Sequence, residues 1–397
     1  MIFVDGQPQT VMAWIPARGG SKGLPRKALL DLQGLPVIAH TIKAALDAKY
    51  VDRVLVNTDD EEIRQVSIAH GAEVPFLRPA KMAEDDSPLE EALQFQYDWL
   101  KREEGAIPGI MIGMSPTHPF RCHGRLDSAL EKAASDANIM NVRGVAPCIS
   151  CLENYWIPTT GKKVAPFWDG EIQKDCTTVF QNLFSYNIVL ECRIHLDTHP
   201  IFGRPVASHL TQLETIDLDD PHDMALARLI AAKKNLLDTA CFAPQPDIPS
   251  DSLVPIYGKL FQKNDNTQQA QVLVHKDYPL IDEEDVSAFT EATQGSSNVV
   301  ISGCDVDEDI HPFRLLKQDE HGYLRYLVDL PNEIRGKRQH YPTIRRFVPA
   351  LVYLPPGTSL DDLARHSPDM WLLPKEKLLD VTNELEQLCI EITRTAM

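Results

Sequence analysis

The segment Ile15-Pro-Ala-Arg-Gly-Gly-Ser-Lys-Gly-Leu-Pro-Arg-Lys27 places three glycines and four basic residues within thirteen positions. Glycine lets backbone N–H groups approach phosphate closely, so Ala17, Gly19 and Gly20 offer main-chain donors. The side chains of Arg18, Lys22 and Lys27 supply charge to neutralise a triphosphate and its leaving pyrophosphate. This polyphosphate cradle matches neither the Walker A pattern nor the dinucleotide fingerprint, which disfavours an oxidoreductase. A second constellation is Thr215-Ile-Asp-Leu-Asp-Asp-Pro-His-Asp223. Asp217 and Asp219 alternate along an extended segment and so share one side of it. Two carboxylates on one face suit Mg²⁺ held jointly with substrate phosphates; taken alone, the pair equally suits a solvated loop. Asp220, directly before Pro221, is expected to cap the helix that follows.

The elements that must position these groups alternate. Between residues 11 and about 235, short apolar runs (VMAWIPA, RVLVNTDD, GIMIGMSP) are separated by amphipathic stretches (PVIAHTIKAALDAKY, EEIRQVSIAHG, SPLEEALQFQYDWLKREE, GRLDSALEKAASD). That rhythm predicts a doubly wound α/β fold with a mostly parallel sheet and ligands at the carboxyl ends of its strands. Residues 163–205 interrupt the rhythm with hairpin-like runs and read as a protruding β arm, before a last helix over 221–234. The stretch 241–255 carries four prolines and suits a linker. The expected organisation is a catalytic domain at 1–240, a linker at 241–264 and a second α/β domain of the same type at 265–397.

Composition narrows the partners. A net charge of −18 repels a phosphate backbone, so nucleic acid is not expected. No apolar run approaches the roughly 20 residues that span a bilayer. The N-terminus has no basic segment leading into an apolar core, so the protein is expected in the cytoplasm. Eight scattered cysteines predict reduced thiols. Cys148 and Cys151 have CxxC spacing without a second pair to complete a zinc site.

Five segments, Ile15–Lys27, Val56-Asn-Thr-Asp59, Phe76-Leu-Arg-Pro-Ala80, Ser115-Pro-Thr-His-Pro-Phe-Arg121 and Ile216-Asp-Leu-Asp219, stand in the order of the motifs of the acylneuraminate cytidylyltransferases, the CMP-sialic acid synthetases. The chain resembles that family. The resemblance implies a nucleotide-diphospho-sugar transferase-like fold and transfer of CMP from CTP to a small acidic sugar, with release of pyrophosphate and help from Mg²⁺. It also implies Arg18, Ser21, Lys22 and Lys27 on the triphosphate, Arg78 on the nucleotide, Ser115 and Thr117 at the substrate, and Asp217 and Asp219 on the metal. Ala28 stands where the family usually has Asn, and Ser115 where it has Gln. Cytosine contacts and acceptor choice therefore stay open, with an eight-carbon acid sugar, a modified nonulosonic acid, a phosphonate or a non-catalytic nucleotide-binding scaffold as alternatives.

Residues 270–390 repeat the second half of the first domain in order and period. QVLVHKDYPLIDEEDVSAFTEAT follows GIMIGMSPTHPFRCHGRLDSALEKA, and RRFVPALVYL follows FQNLFSYNIVL. His311-Pro-Phe-Arg314 and Lys337-Arg338-Gln339 resemble the family's arm motif, which reaches from one subunit into the partner's site to hold the sugar carboxylate. Residues 265–397 are thus expected to act as a built-in partner, an internal pseudo-dimer in which Arg314, Arg338 and Gln339 complete the site. Further homo-oligomers stay open. The alternative is that Arg335, Lys337, Arg338, Arg345 and Arg346 form a solvated basic surface.

Overall fold

The computed structural model describes residues 1–20, 23–84, 87–147, 155–158, 164–166, 179–193, 205–211, 213–232, 269–274, 278, 280–306, 311–312, 315–318, 323–326, 341–358 and 368–374. In chain order, a hairpin of β1 (Ile2–Val4) and β2 (Gln7–Gln9) precedes β3 (Val11–Ala17). A small hairpin, β4 (Asp31–Leu32) and β5 (Leu35–Pro36), leads into α1 (Val37–Leu46), β6 (Arg53–Thr58), α2 (Glu61–Ala69), α3 (Leu89–Glu103), β7 (Ile110–Met114), α4 (Arg125–Ser135) and β8 (Asn141–Pro147). Next come β9 (Tyr155–Pro158), β10 (Val164–Pro166), β11 (Val179–Val189), β12 (Val206–His209) and α5 (Pro221–Ala232). The later elements are β13 (Gln271–Val274), α6 (Glu283–Thr293), β14 (Val300–Asp305), β15 (Leu315–Gln318), β16 (Leu324–Tyr326), β17 (Arg345–Leu354) and β18 (Asp369–Leu372).

Two compact units result, and they are interleaved along the chain. The first takes Met1–Pro147, Phe180–Gln245 and Leu315–Gln339; the second takes Cys148–Val179, Pro246–Arg314 and His340–Met397. These ranges cross the consecutive boundaries expected at 240 and 265. Hydrophobic period identifies a strand, but it carries no information on which of two sheets the strand joins.

In the first unit an eight-stranded sheet runs β12-β8-β11-β7-β3-β6, with β15 on β11 and β16 on β15. Strand β3 is parallel to β6 and β7, and β8 is parallel to β12. The long β11 is antiparallel to both β7 and β8, so the sheet is mixed. The run VMAWIPA is apolar on both sides because both faces of β3 are covered. Ala13 and Ile15 join Ile38 and Ile42 of α1 and Leu130 of α4 on one face. Met12 and Trp14 meet Leu93 and Leu100 of α3 on the other. Leu316 and Leu324 of β15 and β16 are buried with Val145 and Ala207, each contributing about 1.5–3 kcal/mol of apolar burial. The Leu324 amide also donates to the Pro205 carbonyl at 2.7 Å.

The second unit has a six-stranded sheet, β10-β9-β17-β14-β18, with β13 on β17. Strand β17 is antiparallel to β13, β14 and β9, and β14 is parallel to β18. Helix α6 begins with a capping box between Asp282 and Asp285 and buries Phe289. The hairpin-like run expected at 163–170 is present as β10, which pairs with β9; the run at 179–189 is the single long strand β11. Among the described residues no helix is long and apolar enough to cross a membrane.

Candidate active site

Four strands of the first unit end on the same side of its sheet, and each hands over to a loop with a chemical role. Strand β3 runs out at Ala17 into the glycine-rich loop, and β6 runs out at Thr58 into Asp59 and Asp60. Strand β7 ends at Met114, before Ser115 and Thr117, and β12 leads to Asp217 and Asp219. This is the carboxyl edge at which open α/β sheets take ligands.

Two acids brace the cradle from beneath. The Gly19 amide donates to Asp59 Oδ1 at 3.1 Å. A Cβ on Gly19 would lie 2.6 Å from Asp60 Oδ2, so the close approach requires glycine. Asp60 also caps α2 by accepting from the Ile63 amide at 2.9 Å and pairs with Arg26, which in turn reaches Glu62. Burial opposes ionisation of Asp60, but the Arg26 guanidinium and the Ile63 amide outweigh it and hold the carboxyl below its ordinary value. Arg26 itself sits at φ 57°, the left-handed bend that turns the loop into Lys27.

Arg78 is almost fully buried, donates to the Asn57 carbonyl at 3.2 Å and lies 3.8 Å from Asp59. Burial depresses its pKa, Asp59 opposes that shift, and the neighbouring charge of Arg18 adds to it. Two guanidiniums beside one loop suit an anion.

The carboxylate pair meets the cradle. Lys27 Nζ donates to Asp219 Oδ1 at 2.7 Å, and a Cβ on Gly23 would run into the Asp219 carbonyl oxygen. The Asp219 amide is held by Asp223 at 2.9 Å, and Asp220 accepts from the Asp223 amide at 2.9 Å, the expected helix cap. Asp217 accepts from the Thr117 hydroxyl, and the Leu218 amide donates to the Thr117 carbonyl at 3.0 Å. His118, buried, brings Nδ1 to 3.6 Å from Asp217 Oδ1. The Ser115 and Thr117 hydroxyls share a 2.9 Å hydrogen bond.

Beneath this loop Arg121 donates to the carbonyls of Ser115 at 2.8 Å, Ser185 at 2.9 Å and His118 at 2.5 Å, and to Thr41 Oγ1 at 2.9 Å. Its burial lowers the pKa to about 10, and its bonds fix the turn that presents Thr117 to Asp217. Cys122, next along, is disulfide-bonded, so the expectation of wholly reduced thiols fails at that position. Cys148 and Cys151 lie outside the described residues.

The sites expected from sequence are therefore gathered: Ala17, Arg18, Gly19, Gly20, Lys27 and Arg78 lie around the cradle, and Ser115, Thr117, Asp217 and Asp219 around the carboxylates. Ser21, Lys22, Arg314, Arg338 and Gln339 lie outside the described residues. Sequence reasoning missed Asp60, His118 and Arg121 as supports. For Asp60 the available signal was an acid at a strand-to-helix junction, which reads as an N-cap. Among the described residues no three His, Cys, Asp or Glu gather into a metal cluster. An all-oxygen pair with a cation already on one member fits a hard ion that takes its remaining ligands from phosphate and water.

A family model of cytidylyltransferases matches residues 12–149. The chain is 30% identical over 224 residues to a CMP-N,N'-diacetyllegionaminic acid synthase of Legionella pneumophila, covering 54% of this chain and 94% of that protein. It is 42% identical over 118 residues to a pseudaminic acid cytidylyltransferase of Campylobacter jejuni, 30% of this chain and 50% of that one. An N-acylneuraminate cytidylyltransferase of Escherichia coli is 29% identical over 238 residues, 57% of this chain and 53% of that one. The chain thus spans about half the length of the latter two. With the cradle and the carboxylates meeting where this chemistry requires them, the chain belongs to the cytidylyltransferase family of nucleotidyltransferases.

Proposed function

We propose that the chain transfers CMP from CTP to a nine-carbon acidic sugar, giving a CMP-sugar and pyrophosphate. The observation that carries this reading is the 2.7 Å contact between Lys27 of the cradle and Asp219 of the carboxylate pair, the convergence that a shared triphosphate would need. The relatives, named for diacetyllegionaminic, pseudaminic and N-acylneuraminic acids, favour a nonulosonic acceptor. Arg18, Ser21, Lys22 and Lys27 would hold the triphosphate, with Arg78 beside them; the Gly19 amide is already given to Asp59. Asp217 and Asp219 would hold Mg²⁺, which when bound neutralises phosphate charge at the reacting centre. The acceptor's anomeric hydroxyl oxygen bonds the α-phosphorus, the bond to the bridging oxygen breaks, pyrophosphate leaves on the cradle, and the hydroxyl proton passes to water. Positioning and charge neutralisation supply most of what such a transfer needs.

Arg314, Arg338 and Gln339 would grip the acceptor carboxylate, with residues 265–397 as a built-in partner. The support is that β15 and β16, from the C-terminal half, belong to the sheet that carries the cradle. The test is pyrophosphate release from CTP and Mg²⁺ across nine-carbon and eight-carbon acid sugars and phosphonates. Turnover is expected with a nonulosonic acid. CTP binding without turnover on the whole panel would favour the scaffold reading.

A further inference from the structure

The two loops that carry Thr117 and Asp217 leave the first unit's sheet well apart. Strand β7, which precedes Thr117, is separated from β12, which precedes Asp217, by β11 and β8. Three spacings between neighbouring strands come to about 14 Å. Asp217 nevertheless accepts from the Thr117 hydroxyl, and the Leu218 amide donates to the Thr117 carbonyl at 3.0 Å. The protein itself must draw these loops together.

Glu214 stands at that place. It lies in a single 3-10 turn, Leu213–Thr215, three residues before Asp217, and is 1% exposed. Within its own loop it accepts from the Thr211 amide at 3.0 Å and the Thr211 hydroxyl at 3.2 Å. From the loop after β7 it accepts from the Cys122 amide at 3.1 Å. Arg125, the first residue of α4, grips it with a fork, Nε at 3.0 Å from Oε1 and Nη2 at 2.7 Å from Oε2. A carboxylate this deep in a protein persists only with such partners. Arg121, one residue before Cys122, ties the same loop to β11 through the Ser185 carbonyl at 2.9 Å. Glu214 carries the tie onward to the loop after β12. Asp217 keeps its side chain partly exposed beside this tie.

We propose that Glu214 is a positioning residue for the metal carboxylate: by stitching the loop after β12 to the loop after β7, it sets Asp217 against Thr117. The proposal rests on the function given above, in which Asp217 holds Mg²⁺. Among the described residues the hydrogen bonds of Glu214 run to Thr211, Cys122 and Arg125, and not to the glycine-rich loop. Loss of the stitch therefore weakens the metal and slows the transfer while nucleotide binding stays.

Glu214→Gln keeps the size of the side chain but gives up one acceptor oxygen and the charge opposite Arg125. In the ligand-free full chain, hydrogen exchange of the amides between residues 215 and 219 should quicken roughly tenfold or more as local opening becomes easier. Mn²⁺ affinity in the presence of CTP, and kcat, should each fall roughly 10- to 100-fold, the range for a residue that orients a metal ligand. CTP affinity measured without metal should stay within about threefold, which separates positioning from a general loss of the site. Arg125→Lys keeps the charge and removes the fork, so it should move exchange, Mn²⁺ affinity and kcat in the same directions by a smaller factor, and it decides the matter where Glu214→Gln does not fold. Exchange and Mn²⁺ affinity within about twofold of the wild type would overturn the positioning role, and so would a CTP affinity that falls in step with Mn²⁺. A wild type that turns over no acid sugar counts against the proposed function alone; exchange and Mn²⁺ affinity still decide for or against Glu214.

Discussion

Lys27 is the residue on which the site turns, because its ammonium joins the glycine-rich loop to Asp219, the carboxylate proposed for the metal. Lys27→Met keeps the stem and removes the charge. It is expected to lower kcat/KM for CTP roughly 100-fold or more, the usual cost of deleting one preorganised donor to developing phosphate charge. A loss below about threefold, with the fold intact by circular dichroism, would remove Lys27 from the reaction. The chemistry of the cradle was legible because glycines and cations in one short loop have few other uses. The supports were not. That Asp60 fits under Gly19, or that Arg121 reaches Thr41 and Ser185, 80 and 64 positions away, depends on distant residues meeting across the sheet edge. No local pattern encodes such meetings.

The elements were legible wherever hydrophobic period alone decides them. Strands β3, β6 and β7 and helices α1 to α4 stand where alternation predicts them. The run that forms β11 reads as hairpin-like from sequence; it is one long strand between β7 and β8, with a shift in register between Asn182 and Asn187. The elements also set a pH response. Burial holds His40 of α1 and His209 of β12 below the ordinary imidazole value of 6.5, and His40 Nε2 lies 2.9 Å from the Leu32 carbonyl, to which the neutral ring can donate. The unfolded chain takes up these protons more readily than the folded one. Their contribution to stability is therefore complete above pH 6.5 and is lost as the pH falls through the depressed folded values. The urea midpoint should be lower near pH 5.5 than near pH 7.5, and the double variant His40→Gln, His209→Gln should narrow that gap. A gap unchanged in the double variant would contradict this account.

At the scale of the whole molecule, the expected consecutive domains meet two units that are interleaved along the chain. Partner choice between two like sheets leaves no mark in either strand's own period. The proposed function asks the whole chain to bring one cationic loop and one carboxylate pair to one triphosphate. Titration with Mn²⁺, followed by electron paramagnetic resonance, reads this most directly. With CTP present the wild type should bind Mn²⁺ and CTP together at one site per chain, and Asp217→Asn combined with Asp219→Asn should weaken the metal roughly 100-fold, the upper range for disturbing a metal's ligand environment. Mn²⁺ bound with CTP as tightly in the double variant as in the wild type would contradict the convergence of cradle and carboxylates.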